Sequence, residues 1–230
     1  MNLQEYRYKT ELHLHTNPAS ECSEIPPEMA VKTYADLGYH SIVVCNHFWK
    51  GMRFQEDKKT CLDAYLTDYD AAVKAGKKYG VHVIFGCEIR FPENGNDYLL
   101  FGIDRDFVDF AYECLNMDIV EFSKTFRDDK RLLIQAHPFR NGMTEVPPEY
   151  LDGMETFNMH PNHNSRVAVA AKYAKKHHLI PTAGTDYHHS GHEGMVALLT
   201  KTEMVTSYDI ADVLKSGDYL FEIGGSIVLP

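Results

Sequence analysis

Apolar runs of about 18 residues, the length a membrane-spanning helix needs, are absent from this chain. The opening residues, Met1 to Arg7, also lack the apolar stretch of a secretion signal. No linker, low-complexity tract or internal repeat interrupts the sequence, so residues 1–230 are expected to form a single domain. Cysteine is scarce and unpaired: positions 22, 45, 61, 87 and 114 show no disulfide spacing. Reduced thiols in a cytoplasmic protein are the simplest expectation. Positive charge is short too, with 23 Lys and Arg against 33 Asp and Glu and a formal charge of −10. That balance argues against a nucleic-acid partner, whose backbone is held by clustered cations. No feature of the pattern specifies an oligomeric state.

What the chain does have is a series of metal-ligand residue types placed where strands should end. Tyr8 to Leu12 reads as a strand closing on His13-Leu14-His15, and Ile180 to Thr185 as one closing on Asp186-Tyr187-His188. Side chains alternate faces along a strand, so His-x-His and Asp-x-His each aim two donors to one side. Between these ends, His47 follows the apolar run Ser41–Asn46, Glu88 follows Val81–Cys87, and His137 follows Leu132–Ala136. Imidazole nitrogen with carboxylate oxygen suits Zn, Mn or Fe. Chemistry at the carboxyl ends of successive parallel strands is the arrangement of an α/β barrel.

In these motifs and their order the sequence resembles the PHP (polymerase and histidinol phosphatase) family of metal-dependent phosphoesterases. The resemblance runs from His13 to about Gly194. It is carried by His13-Leu14-His15-Thr16 with Ser20-Glu21, by Asn46-His47, by Glu88, by His137-Pro138 and by Asp186-Tyr187-His188. It implies an α/β fold, a distorted (β/α)7 TIM-like barrel. It also implies two or three divalent ions: one held by His13, His15, Glu88 and Asp186, a second by Glu88 and His137, and a third by Glu21, His47 and His188. The implied reaction is hydrolysis of a small phosphorylated metabolite by a metal-activated hydroxide. Glu88 would bridge two ions, and Asp186 or His188 could protonate the leaving oxygen. Two positions depart from the family pattern. Asn46 stands where Asp is usual, and the stretch Asn96–Gly102 has no histidine, which leaves Asp97 as a substitute oxygen ligand.

Each candidate also has a plainer reading. His13, His15 and His137 could be core histidines, Glu88 could pair with Arg90 two residues on, and Glu21 could be a solvated loop acid. Cys22 is either a thiol near the site or incidental. Cations for a phosphate are Arg140, just past His137, then Arg53, Arg90 and Arg166. His160, His163, His189 and His192 lie on loops after candidate strands. An amidohydrolase-type hydrolase, a nucleic-acid phosphoesterase and a non-catalytic metal-binding domain are the alternative functions. The expected helices are Pro27–Leu37, Leu62–Tyr79, Phe107–Phe126, Ser165–His177 and Tyr208–Leu214, with a polar loop from Phe48 to Thr60 over the site.

Overall fold

The computed structural model describes residues 2–230, so only Met1 of the stretch examined for a secretion signal lies outside it. Strand β1 (Tyr8–Leu14) leads to helix α1 (Pro27–Asp36), β2 (Ser41–Val44), β3 (His47–Trp49) and the long α2 (Lys58–Tyr79). Next come β4 (His82–Phe85), β5 (Cys87–Arg90), β6 (Asp97–Phe101), α3 (Phe107–Glu113), α4 (Ile119–Phe126), β7 (Leu132–Gln135) and β8 (Gly153–Asn158). The chain finishes with α5 (Val167–His177), β9 (Ile180–Gly184), β10 (Val196–Thr200), α6 (Ser207–Ser216), β11 (Leu220–Ile223) and β12 (Ser226–Val228). Among the described residues no helix is long and apolar enough to cross a membrane.

Local chemistry sets most of the helix ends. Helix α2 starts where the Asp57 side chain accepts from Thr60 N–H, and stops at Gly80 in the left-handed region, φ 75°. Helix α6 opens with a reciprocal capping box between Thr206 and Asp209. The single helix expected over 107–126 is broken in two. Asp118 takes an extended backbone, and its carboxylate accepts from Glu121 N–H at 2.8 Å, which starts α4 afresh.

The strands form two six-stranded mixed sheets, ordered β12-β11-β10-β1-β2-β4 and β3-β5-β6-β7-β8-β9. The α/β class is as expected, but a closed seven-unit barrel is not what the pairings give. Residues 91–96 between β5 and β6 are too few for a crossover helix, so these strands pair antiparallel. Strand β10 also runs antiparallel to β1. Parallel pairing survives in β1-β2-β4, in β3-β5 and in β7-β8-β9. The run expected as one strand over Val81–Cys87 passes from one sheet to the other at Gly86. A Cβ there would lie 2.5 Å from Val43 Cγ1 and 2.7 Å from Cys45 Sγ, so only glycine lets the chain cross. The sheets are joined at the site end by a bridge between Leu14 and Tyr187, where His15 N–H donates to Tyr187 O at 3.0 Å.

Helices α3 and α4 cover one face with aromatics. Phe122 is fully buried, stacks on Phe126 at 5.0 Å and lies 4.9 Å from Phe91. Truncating it removes a ring packed between Phe126 of its own helix and Phe91 of the segment after β5, which cannot both close in. Phe122→Ala is therefore expected to cost about 3–5 kcal/mol of unfolding free energy, read from the denaturant midpoint.

Candidate metal centre

His13 and His15 lie at the end of β1 on one face, while Leu14 between them packs into the opposite core. Their Nε2 atoms are 2.9 Å apart. Glu88 from β5 closes on both, with Oε1 3.4 Å from His13 Nε2 and Oε2 3.4 Å from His15 Nε2. Asp186, just past β9, places Oδ1 3.5 Å from each Nε2. A tetrahedron with bonds of about 2.0–2.1 Å has edges of about 3.3–3.4 Å, close to the distances of the Glu88 and Asp186 oxygens from the two ring nitrogens, while the two nitrogens lie closer together.

The ring orientations agree with that reading. His13 Nδ1 lies 3.0 Å from Glu155 Oε1, an acceptor, so the Nδ1 proton points there and the neutral ring would present its Nε2 lone pair to the cluster. His15 Nδ1 lies 3.2 Å from Ser20 Oγ, whose own proton goes to Asn46 Oδ1 at 2.9 Å. His15 Nε2 therefore also presents a lone pair. Two lone pairs 2.9 Å apart repel unless a proton or a cation lies between them. Glu88 Oε2, on a residue 1% exposed, has only ring nitrogens beside it, His47 Nδ1 at 2.7 Å and His15 Nε2 at 3.4 Å, and a buried carboxylate is costly unless a cation balances it. The donor set thus fits a divalent ion.

Glu88 also reaches a second set of donors. Its Oε1 lies 3.2 Å from His137 Nε2, and His137 Nε2 lies 3.6 Å from Asp97 Oδ2. On the other side Oε2 lies 2.7 Å from His47 Nδ1. Three groups have donor atoms that all lie within 4.8 Å of one another: His13, His15 and Glu88; His15, His47 and His188; and His47, Glu88 and Asp97.

A layer of hydrogen bonds holds these side chains. Glu155, a buried acid and the one charged residue of β8, accepts from His137 N–H and Asn158 Nδ2 at 2.9 Å as well as from His13. Sequence reading passed over it, and the signal was that lone acid. Glu11 Oε1 accepts from the backbone N–H of His13 at 3.0 Å and of Thr185 at 2.9 Å. It ties the end of β1 to the segment that carries Asp186. Asn46 replaces a charge expected there, and Asp68 of α2 supplies it from behind: Asn46 Nδ2 donates to Asp68 Oδ2 at 2.8 Å. His137 (φ 29°) and Asp186 (φ 54°) hold positive backbone angles that non-glycine residues seldom adopt, a local strain found where surroundings over-determine a functional side chain. Gly184 has no freedom to change, since a Cβ would overlap His13 and the Glu155 carboxylate.

Charges in the cluster are set mutually. Burial alone would lower His13, but Glu155, Asp186 and Glu88 outweigh it and hold the imidazole well above its usual range. Burial drives His15 well below that range, and His188 and His47 add to the effect. Burial opposes ionisation of Glu88 and Asp186. Even so, His47 and His13 hold Glu88, and His13 and His15 hold Asp186, well below the carboxylate range.

The expected residues converge with two qualifications. Glu21 does not join the cluster: its side chain is 63% exposed and its Oε1 faces Arg53 Nε at 4.0 Å. The turn around it is pinned by Ser20 and Ser23, both buried, which leaves Glu21 and its neighbour Cys22 at the rim of the cavity, away from the donor cluster. Asp97 is at the site, but both of its oxygens are taken by Arg90, at 2.6 and 2.7 Å. The pairing considered for Glu88 with Arg90 is thus made by Asp97 instead.

The cluster opens into a cavity of about 540 Å³ lined by Cys22, His47, Arg53, Arg90, Arg140 and His163 among others. Arg140 Nη1 lies 3.4 Å from His163 Nε2 and Nη2 3.7 Å from Asp97 Oδ2. Arg166 turns away to hold the loop after His137, donating to Phe139 O and Asn141 Oδ1 at 2.6 Å each. The polar loop expected over the site begins as β3, and its Trp49, Met52 and Arg53 do line the mouth.

Two mixed sheets bring histidines and carboxylates together at their joined ends, in groups able to hold metal ions. The PHP domain model matches residues 11–224, and the chain belongs to that family. A two-domain protein from Bacteroides vulgatus, containing a predicted PHP-like metal-dependent phosphoesterase, superposes with TM-score 0.62 at 17% identity, over 94% of this chain and 64% of that one. A protein from Bifidobacterium adolescentis, assigned as a metal-dependent phosphoesterase, superposes with TM-score 0.51 at 15% identity, over 79% and 88%. A PolC-type DNA polymerase III from Oceanobacillus iheyensis is 23% identical over 159 residues, 69% of this chain but only 9% of the polymerase.

Glu155→Gln keeps the shape of the side chain but weakens its hold on His13. It is expected to leave the fold intact and to cut divalent-metal affinity about 10–100-fold, measured by chelator competition.

Proposed function

We propose that this domain hydrolyses a small phosphate monoester in a centre of two or three divalent ions of the Zn, Mn or Fe type. The observation that carries the reading is the four-donor set of His13, His15, Glu88 and Asp186, with Glu88 facing further donors on both sides. His13, His15, Glu88 and Asp186 would hold one ion, and Glu88 and His137, with Asp97, a second. His47 and His188 would hold a third. Bound divalent ions supply activated water near neutral pH and neutralise charge on phosphoryl oxygens.

The chain's own residues orient and enclose. Glu88 sets the spacing between the donor sets. Arg140 stands at the cavity wall with one guanidinium edge toward Asp97 and His163, and it can turn that edge to a phosphoryl oxygen. Arg90 is committed to Asp97, and Arg53 sits farther out at the mouth. The short cavity with a polar floor suits a small metabolite. The amidohydrolase reading is less well supported, because a carboxylate rather than a lysine lies between the donor sets, and no lysine lines the cavity. A polynucleotide substrate fits poorly with the charge of −10.

Elemental analysis of chelator-free protein should find two or three transition-metal ions per chain, and a value below one would sink the proposal. A phosphate-release screen over sugar phosphates, nucleoside monophosphates and histidinol phosphate, with Mn or Zn added, should find a substrate. Glu88→Gln is expected to abolish release and strip metal, whereas Glu21→Gln should do neither.

Arg140→Ala should lower kcat/KM by about 2.7–4 kcal/mol of transition-state stabilisation, the cost of one lost oxyanion-type donor. Arg140→Lys should recover only part of it, with metal content unchanged in both. Wild-type rates in Arg140→Ala would move the role to Arg53.

A further inference from the structure

We infer that His163 is a positioning residue for Arg140: its ring accepts from the guanidinium on one side and faces the Asp186 carboxylate on the other, which aims the arginine at a phosphoryl group on the metal centre. The inference rests on the phosphate role given to Arg140 above and adds the group that holds the arginine ready for it.

Two loops meet at this pair. Arg140 lies on the loop between β7 and β8, and His163 on the loop between β8 and α5. Arg140 Nη1 lies 3.4 Å from His163 Nε2, the one side-chain hydrogen bond of this guanidinium among the described residues. A guanidinium has donors only, so His163 Nε2 is the acceptor and the ring proton sits on Nδ1. His163 Nδ1 is buried and lies 3.3 Å from Asp186 Oδ2. Asp186 divides its oxygens accordingly. Oδ1 faces His13 and His15, while Oδ2 accepts from Asn158 Nδ2 at 3.2 Å and faces His163. One imidazole thus joins a donor of the metal centre to the cation on the cavity wall.

The ring itself is held in place. It stacks on His160 at 3.8 Å with 20° between the planes, and His163 N–H donates to His160 O at 3.0 Å. Ser165 Oγ donates to Asn158 Oδ1 at 3.1 Å, so the asparagine that holds Asp186 also anchors the His163 loop. A separate observation ties the two loops together. Arg166, at the end of the His163 loop, donates to Phe139 O and Asn141 Oδ1, on either side of Arg140. Without His163, the other group in reach of the guanidinium is Asp97 Oδ2 at 3.7 Å, and both Asp97 oxygens already accept from Arg90. The arginine would then sample several rotamers, and fixing one of them would be charged against phosphate binding.

Two variants separate the nitrogen atoms from the ring. His163→Phe keeps the stack on His160 and removes both nitrogens. His163→Gln offers an amide oxygen to Arg140 and an amide N–H toward Asp186. The readout is the dissociation constant of inorganic phosphate, measured by calorimetry on zinc-loaded protein with the zinc content of each variant determined. His163→Phe should weaken phosphate about tenfold, and His163→Gln should recover part of that loss. In an Arg140→Ala background, adding His163→Phe should change the affinity by no more than about twofold, because the positioning residue then has nothing to position. Wild-type affinity in His163→Phe overturns the inference, since packing of the ring would suffice. A full tenfold loss on top of Arg140→Ala also overturns it, because His163 would then act through Asp186 alone. Arg140→Ala that binds phosphate like the wild type removes the phosphate role of Arg140 and the inference with it. The two earlier outcomes, with Arg140→Ala impaired, remove the inference alone.

Discussion

A carboxylate buried as completely as Glu88 has to be matched by positive charge, and the architecture around it is organised by that demand. Its two oxygens divide between His13 and His137 on one side and His15 and His47 on the other. Asp186 and Glu155 add further buried negative charge beside the same rings. Histidines alone balance this poorly, because the crowding that lifts His13 above its usual protonation range pushes His15 below it. Divalent ions would relieve both the buried carboxylate charge and the crowding of the two facing ring nitrogens. The centre is thus a charge problem whose solution is also its chemistry.

Placing five strand ends around that carboxylate constrains the two sheets. Strand β1 in one sheet and the segment after β9, which continues the other, meet at Leu14 and Tyr187. Glu11 clamps the same junction by accepting from backbone on both sides. Burial raises the Glu11 carboxyl to about 7, against the pull of Thr185, His13 and Tyr34. Gly184 permits the approach of His13 and Glu155, and Gly86 permits the passage between sheets. The strained backbone of His137 and Asp186 is the cost of aiming donors inward from strand ends that would otherwise run on.

The ligands read from sequence were those in strand-end motifs, where a period of two and a following loop leave little choice of direction. His13, His15, Glu88, His137 and Asp186 all fall in that class. The supporting groups were not legible in the same way. Glu155 is one acid within a strand, and nothing local says that it will face His13. Asp68 lies on α2, far along the chain from Asn46, so the pairing that returns charge to that position exists only after folding. The helix expected over 107–126 failed at Asp118 because a side-chain cap outcompeted a continuous apolar pattern.

Local pattern thus determined the α/β class, most of the strands and helices, and the residue types gathered at the site, because alternation along a strand, helical period and capping act over a few residues. Tertiary structure alone decided that the strands form two mixed sheets, that Arg90 takes Asp97, and that Glu21 stands at the exposed rim rather than in the donor cluster. Each of those outcomes depends on which backbone groups find partners across the molecule. At residues 20–23 the hydrogen bonds of two serines to His15, His47 and His188 fix a turn whose direction adjacent side chains cannot choose for themselves.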